Sequence, residues 1–208
     1  MITRRDGKTI LTTPVSREDL EGLHVGDQFY LTGSLTAGRD MVHYRVTEEG
    51  RPLPVEIRNC ALLHAGPIAR LRPDGTYEIV AMGPTTSMRM ERFEYEFVKR
   101  TGVRVIVGKG AMGPHTERAC REFGAIQCVF PAGSALVAAT AVEKVIRAEW
   151  LDLGMPEAVW QCGVREYGPL IVAIDVRGRN WLREKKEDYL RRRDEQIPLL
   201  RKALDFMG

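Results

Sequence analysis

No Cys-x-x-Cys pair occurs in this chain, and its four cysteines, Cys60, Cys120, Cys128 and Cys162, follow no disulfide-framework spacing. That excludes a small disulfide scaffold and a self-contained cysteine metal centre. It points instead to a reducing, cytoplasmic setting in which the cysteines are small buried residues. Long hydrophobic runs are also missing. Nothing approaches the roughly 20 consecutive apolar residues of a membrane span, and Met1-Ile-Thr-Arg-Arg-Asp6 lacks the apolar stretch of a secretion signal. A large excess of either charge is missing too: 31 Lys and Arg against 28 Asp and Glu leave a net charge of +3, with no basic stripe interleaved with aromatics, so neither nucleic acid nor a membrane is an expected partner. Internal repeats and low-complexity segments are absent as well. What remains is a chain, 44% hydrophobic, long enough to bury one substantial core.

Short apolar runs and helical patterns then alternate along the chain. Strands are predicted at Thr9 to Thr13, Asp27 to Leu35, Cys60 to Leu63, Val103 to Val107 and Ala125 to Phe130, with two more at residues 158–165 and 169–175. Pro73-Asp74-Gly75 is a strong turn signal and predicts a hairpin over residues 68–82. Ser16, followed by Glu18 and Asp19, opens a brief helix, and another is expected from Asp40 through Val46. Further helices are expected from Met90 to about Gly102, from Pro114 to Phe123 with Gly124 as its stop, and from Ser134 to about Trp150. From Trp181 onward the composition becomes a charged helical tail, expected to break near Pro198 and to present a solvated face. The reading is α/β with a mixed sheet and flanking helices, divided into a domain at residues 1–180 and a tail at 181–208.

Three glycine-bounded strand ends carry cations. Thr36-Ala-Gly-Arg39-Asp40 is followed by His43, four residues from Arg39 and on the same helical face. Gly83-Pro-Thr85-Thr86-Ser-Met-Arg89-Met90 brings hydroxyls and a guanidinium to a strand-to-helix turn, where orphan N–H groups favour an anion. Gly108-Lys109-Gly110 ends a third strand, and it is no P-loop because neither its spacing nor a Ser/Thr after the lysine fits. Ligands of open α/β folds gather outside the carboxyl ends of strands, so these loops are expected to meet around a small dianion, each arginine forking onto one carboxylate. Plainer readings stand beside this one. Thr85 also suits a helix cap, Arg39 and Arg89 suit surface arginines, and His43 and His64 suit packed or capping side chains.

Taken together, Thr36 to Asp40 with His43, His64-Ala-Gly-Pro67, Gly83 to Met90 and Gly108 to Gly110 resemble the β subunit of the iron-sulfur hydro-lyases, the family of class I fumarases and L(+)-tartrate dehydratases. The resemblance spans roughly residues 8–178. Ser87-Met88, Gly110 to Pro114 and Gly154 to Pro156 look closer to the tartrate dehydratase β subunit. It implies a swivelling β/β/α domain that closes over a 4Fe–4S cluster held by a partner α subunit in a hetero-oligomer, with no metal ligand in this chain. It also implies the reversible hydration of a four-carbon dicarboxylate: fumarate to L-malate, or L-tartrate dehydrated to oxaloacetate. By motif, Thr85 is the implied catalytic base, and Arg39, Arg89 and Lys109 bind substrate. Asp40, His43, His64 and Thr86 are candidate supporting residues. The competing expectation is a non-catalytic module that binds a dicarboxylate or stabilises a partner.

Overall fold

The computed structural model describes residues 1–204. The elements in chain order are β1 (Ile2–Arg5), β2 (Lys8–Thr12), α1 (Arg17–Glu21), β3 (Gln28–Ala37), α2 (Asp40–Thr47), β4 (Ala61–Leu63), β5 (Ile68–Leu71) and β6 (Tyr77–Ala81). They continue with α3 (Glu91–Thr101), β7 (Val105–Gly108), α4 (Pro114–Phe123), β8 (Ile126–Val129), α5 (Ala135–Thr140), β9 (Val142–Glu149), β10 (Val159–Ile174) and α6 (Trp181–Leu204). The mixed sheet and flanking helices follow expectation. The β5–β6 hairpin turns at Pro73 to Gly75 and stands apart as a second, two-stranded sheet.

Strands β3, β4, β7 and β8 run parallel, while β10 lies antiparallel to β8, β9 and β3. Pairing therefore returns on itself through β3, β4, β7, β8 and β10, closing a ring of five strands. Because side chains alternate across a strand, the two faces bury different cores. Ala61, Leu63, Val105 and Val107 point into the ring with Phe29, Leu31, Leu35, Trp160, Tyr167 and Leu170. Leu62 and Ile106 point outward against Val42, Val46, Phe97, Val98, Ala119 and Cys120 of α2, α3 and α4. Burial on both faces explains why β4 and β7 are short continuous apolar runs.

Three expectations are corrected. The segment from Ser134 to about Trp150 is not one helix: α5 ends at Thr140, and β9 follows as an edge strand paired to β10. Val142, Val145 and Ile146 are β-branched, and the edge of β10 supplies a ladder that outweighs the helical propensity of the alanines. The two strands expected at 158–165 and 169–175 are a single strand, β10, whose register shifts on either side of Tyr167 let it bend while still pairing β3. Helix α6 runs through Pro198 without breaking. A proline removes only one intrahelical bond, and on this exposed helix the freed carbonyl faces water. The charge run pairs largely within the helix, as Arg191 and Arg192 with Asp188. Residues 205–208 of the tail lie outside the described residues. Strand β1, which pairs with β2, was not anticipated.

Candidate active site

Parallel register places three strand ends level with one another. Ala37 pairs with Leu63, and Leu63 with Val107, so Gly38, His64 and Gly108, the last residue of β7, lie side by side where the strands give way to loops. The ladder continues past the strands, with Gly38 N–H donating to the Leu63 carbonyl (3.0 Å) and His64 N–H to the Val107 carbonyl (2.8 Å). The stretch from Gly83 to Met90 is threaded between these ends. Thr85 N–H donates to the His64 carbonyl (2.7 Å), Lys109 N–H to the Thr85 carbonyl (3.0 Å) and Ser87 N–H to the Lys109 carbonyl (3.0 Å). Thr86 forms a bridge with Lys109, and Pro84 one with Ala65. Thr85, Thr86 and Lys109 are thus locked into one backbone lattice. Capping does not account for Thr85: α3 begins at Glu91, and neither its N-cap nor that of the single turn Ser87–Arg89 carries a side-chain cap bond.

Both arginines are oriented by carboxylates. Asp40 accepts from Arg89 Nε (2.9 Å) and Nη2 (2.7 Å), and Glu157 Oε1 accepts from Arg39 Nε (2.6 Å) while its Oε2 accepts from the Met41 N–H (3.1 Å). The hydrogen bonds from Arg89 hold the Asp40 carboxyl below the usual carboxylate range. Each guanidinium keeps donors in reserve for a further anion. Lys109 is exposed, and its ammonium makes no ion pair or hydrogen bond among the described residues. Three cations against the two carboxylates leave one positive charge in excess, a balance suited to an anionic ligand. Gly66 is needed for close approach, since a Cβ there would lie 2.6 Å from the Pro156 carbonyl and 3.1 Å from Arg39 Nη1.

Beneath this surface His43 and His64 are fully buried, and both turn Nε2 toward Glu94 Oε2 at 3.4 Å. His43 Nδ1 faces the Arg39 carbonyl (3.0 Å), and His64 Nδ1 faces Ser87 Oγ (3.1 Å). The His43 ring stacks on Phe97 at 4.2 Å. Burial alone would raise the Glu94 carboxyl, but the two imidazoles more than offset this and hold it at about 2. Burial, only partly countered by Glu94, pushes His64 down. The two histidines are therefore packed, as the plainer reading had it, but around a buried acid.

Sequence reasoning missed Glu94, Glu157 and the role of Ser87. Glu94 had a usable signal, since it falls on the apolar stripe of α3 with Met90, Phe97 and Val98. Glu157 had none, because it reaches Arg39 from 118 residues away. The cysteines do not fit an iron–sulfur cluster. Cys120, Cys128 and Cys162 are buried on α4, β8 and β10, and burial raises all three thiols, that of Cys162 to about 12. They lie on three separate elements, and among the described residues the ligand-spaced group of His, Cys, Asp and Glu side chains is His43, His64 and Glu94, which contains no cysteine.

The strand ring is an α/β domain that carries Arg39, Arg89 and Lys109 on loops at the carboxyl-terminal edge of its parallel strands, the edge at which α/β folds gather their ligands. This chain belongs to the family described as Fumarase C-terminus, which it matches over residues 3–185. It is 52% identical to the L(+)-tartrate dehydratase subunit beta of Escherichia coli K12, over 90% of this chain and 92% of that protein. It is 36% identical to a putative L(+)-tartrate dehydratase subunit beta of Methanocaldococcus jannaschii, over 89% of this chain and 96% of the relative. A putative class I fumarate hydratase of Geobacillus stearothermophilus is 32% identical over 82% of this chain but only 32% of that longer protein.

Proposed function

We propose that this chain is the β subunit of a heteromeric hydro-lyase that adds water to, or removes it from, a four-carbon dicarboxylate. The similarity to tartrate dehydratase β subunits favours L-tartrate, dehydrated to oxaloacetate, over fumarate and L-malate. The observation that carries the reading is the meeting of Arg39, Arg89, Thr85 and Lys109 loops at level strand ends. In this reading Arg39, Arg89 and Lys109 hold the substrate carboxylates. Proton abstraction beside a carboxylate builds negative charge on its oxygens, and fixed cations stabilise that charge without reorganising. Thr85 is the proposed base. A free hydroxyl is a weak base near neutrality, so the role requires cations close enough to lower its pKa, which is the part assigned to Arg39, Arg89 and Lys109. Asp40 and Thr86 support the site by orienting Arg89 and fixing Lys109.

The 4Fe–4S cluster is assigned to the partner α subunit, since the cysteines of this chain do not suit it, and the assembly is a cytoplasmic hetero-oligomer. Among the described residues no helix is long and apolar enough to cross a membrane. Residues 1–180 form the working domain, a swivelling β/β/α unit in the family's terms, and 181–208 a charged appendage. Co-expression with an α subunit under anaerobic conditions tests the reading. Activity should need both chains, and Thr85→Ala or Arg89→Ala should lower kcat/KM about 100-fold or more. Full activity of either variant sinks the residue roles. A partner that turns over substrate at full rate alone leaves this chain a binding or assembly module.

A further inference from the structure

Four buried polar atoms lie together under the site with no hydrogen bond of good geometry: His43 Nε2, His64 Nε2 and both carboxylate oxygens of Glu94. Unpartnered polar groups in a core are costly, so their convergence calls for a physical account. The outer nitrogens fix how the protons must lie. A backbone carbonyl only accepts, so His43 Nδ1, facing the Arg39 carbonyl, carries a hydrogen. His43 Nε2 then faces a carboxylate, and the pair is stable only with a proton on the line between them. His64 Nε2 approaches the same oxygen at 3.4 Å, and a proton on that nitrogen would leave His64 Nδ1 to accept from the Ser87 hydroxyl.

We infer that His43, Glu94, His64 and Ser87 form one proton-ordered positioning network that holds the Arg39 loop and the Thr85 turn in register beneath the anion site. Its directions run from His43 Nδ1–H to the Arg39 carbonyl, from both Nε2–H groups to Glu94, and from Ser87 Oγ–H to His64 Nδ1. Every member comes from a different element: α2, α3, the end of β4 and the turn before α3. The network meets the site through two short links. His43 grips the carbonyl of Arg39 itself, and the His64 carbonyl accepts from the Thr85 N–H at 2.7 Å. One buried carboxylate thereby fixes the proposed base and one substrate cation together. Asp40 and Cys120 are the other titratable groups that sense this cluster, Asp40 raising His64 and Glu94 raising Cys120. None of the four touches the substrate in this arrangement, so they are positioning residues.

One potential ligand atom from each of His43, His64 and Glu94 lies within 4.8 Å of the other two, a spacing that an ion also fits. The test separates the two. In the full chain with 15N-labelled histidine, NMR should show His43 protonated on both ring nitrogens and His64 on Nε2 alone, and Glu94→Gln should remove the second His43 proton. Ser87→Ala, a small excision that guards against misfolding of the first variant, should shift His64 Nδ1 while leaving the proton between His43 and Glu94 in place. A bare His43 Nε2 in the parent chain, or resonances indifferent to both changes, overturns the inference. So does one equivalent of zinc or iron retained by the parent chain and lost in Glu94→Gln. The positioning role rests on the proposed hydro-lyase reading, whereas the NMR result stands without it. In the reconstituted enzyme Ser87→Ala should lower kcat about tenfold with KM within about threefold.

Discussion

At the scale of single residues, much of the site depends on atoms that are absent. Gly108 ends β7 where the Thr85 turn crosses it, and a Cβ there would sit 1.8 Å from Ser87 Oγ and 3.2 Å from His64 Nδ1. To relieve an overlap of that size, the Ser87 hydroxyl must leave its place against His64 or the turn must move. Gly108→Ala is therefore expected to destabilise the chain by about 1–3 kcal/mol and to displace the turn. Thermal unfolding reads the first effect, and loss of the His64 to Ser87 contact in histidine NMR reads the second; unchanged values for both would refute the packing argument. The glycine was legible in Gly108-Lys109-Gly110, but the reason for it was not. A sequence shows that a strand end lacks a side chain, and only the crossing turn shows what fills the space.

At the scale of elements, α3 and α4 are joined by a side chain rather than by packing alone. Helix α4 starts at Pro114 with no cap of its own, and Glu91 on the first turn of α3 takes its place. The Glu91 carboxylate accepts from the N–H groups of Gly113 (2.8 Å) and His115 (2.7 Å) and from the Thr116 hydroxyl. This satisfies orphan donors and places a negative charge at the positive end of the helix. Glu91→Ala should cost about 1–3 kcal/mol, because the half-buried donors at the start of α4 lose a charged acceptor. Urea denaturation measures it, and a midpoint equal to that of the parent chain would show that water substitutes freely. Sequence reasoning placed both helices well, since their apolar stripes and the stops at Gly102 and Gly124 are local signals. It failed at β9, where alanines favour a helix and only a free edge of β10 decides otherwise.

At the scale of the whole molecule, stability is linked to pH through groups that the fold removes from water. His64 has its proton affinity lowered by burial, so below about 6.5 the unfolded chain takes up a proton that the folded chain does not. Stability should therefore fall as pH drops through that value. The carboxyls of Glu94 and Asp40 are depressed in the fold, Glu94 to about 2, so their contribution is present above about 4.5 and is lost on further acidification. Thermal melts between pH 8 and pH 3 should show a first decline below about 6.5 and a steeper one below about 4.5. His64→Gln should flatten the first step and keep the second. A melting temperature independent of pH from 7 to 5 in the parent chain would contradict the buried neutral imidazole.

Local chemistry in the sequence determined most elements, the α/β class and the loops that carry Arg39, Thr85, Arg89 and Lys109, because caps, turns and periodic apolar runs act over a few residues. The tertiary structure alone decided that β3, β4, β7, β8 and β10 close into a ring, that Asp40 and Glu157 orient the two arginines, and that Glu94 lies between two histidines. Each of these depends on contacts between residues far apart in the chain. Strand register brings such residues together, and nothing in their own neighbourhoods records it.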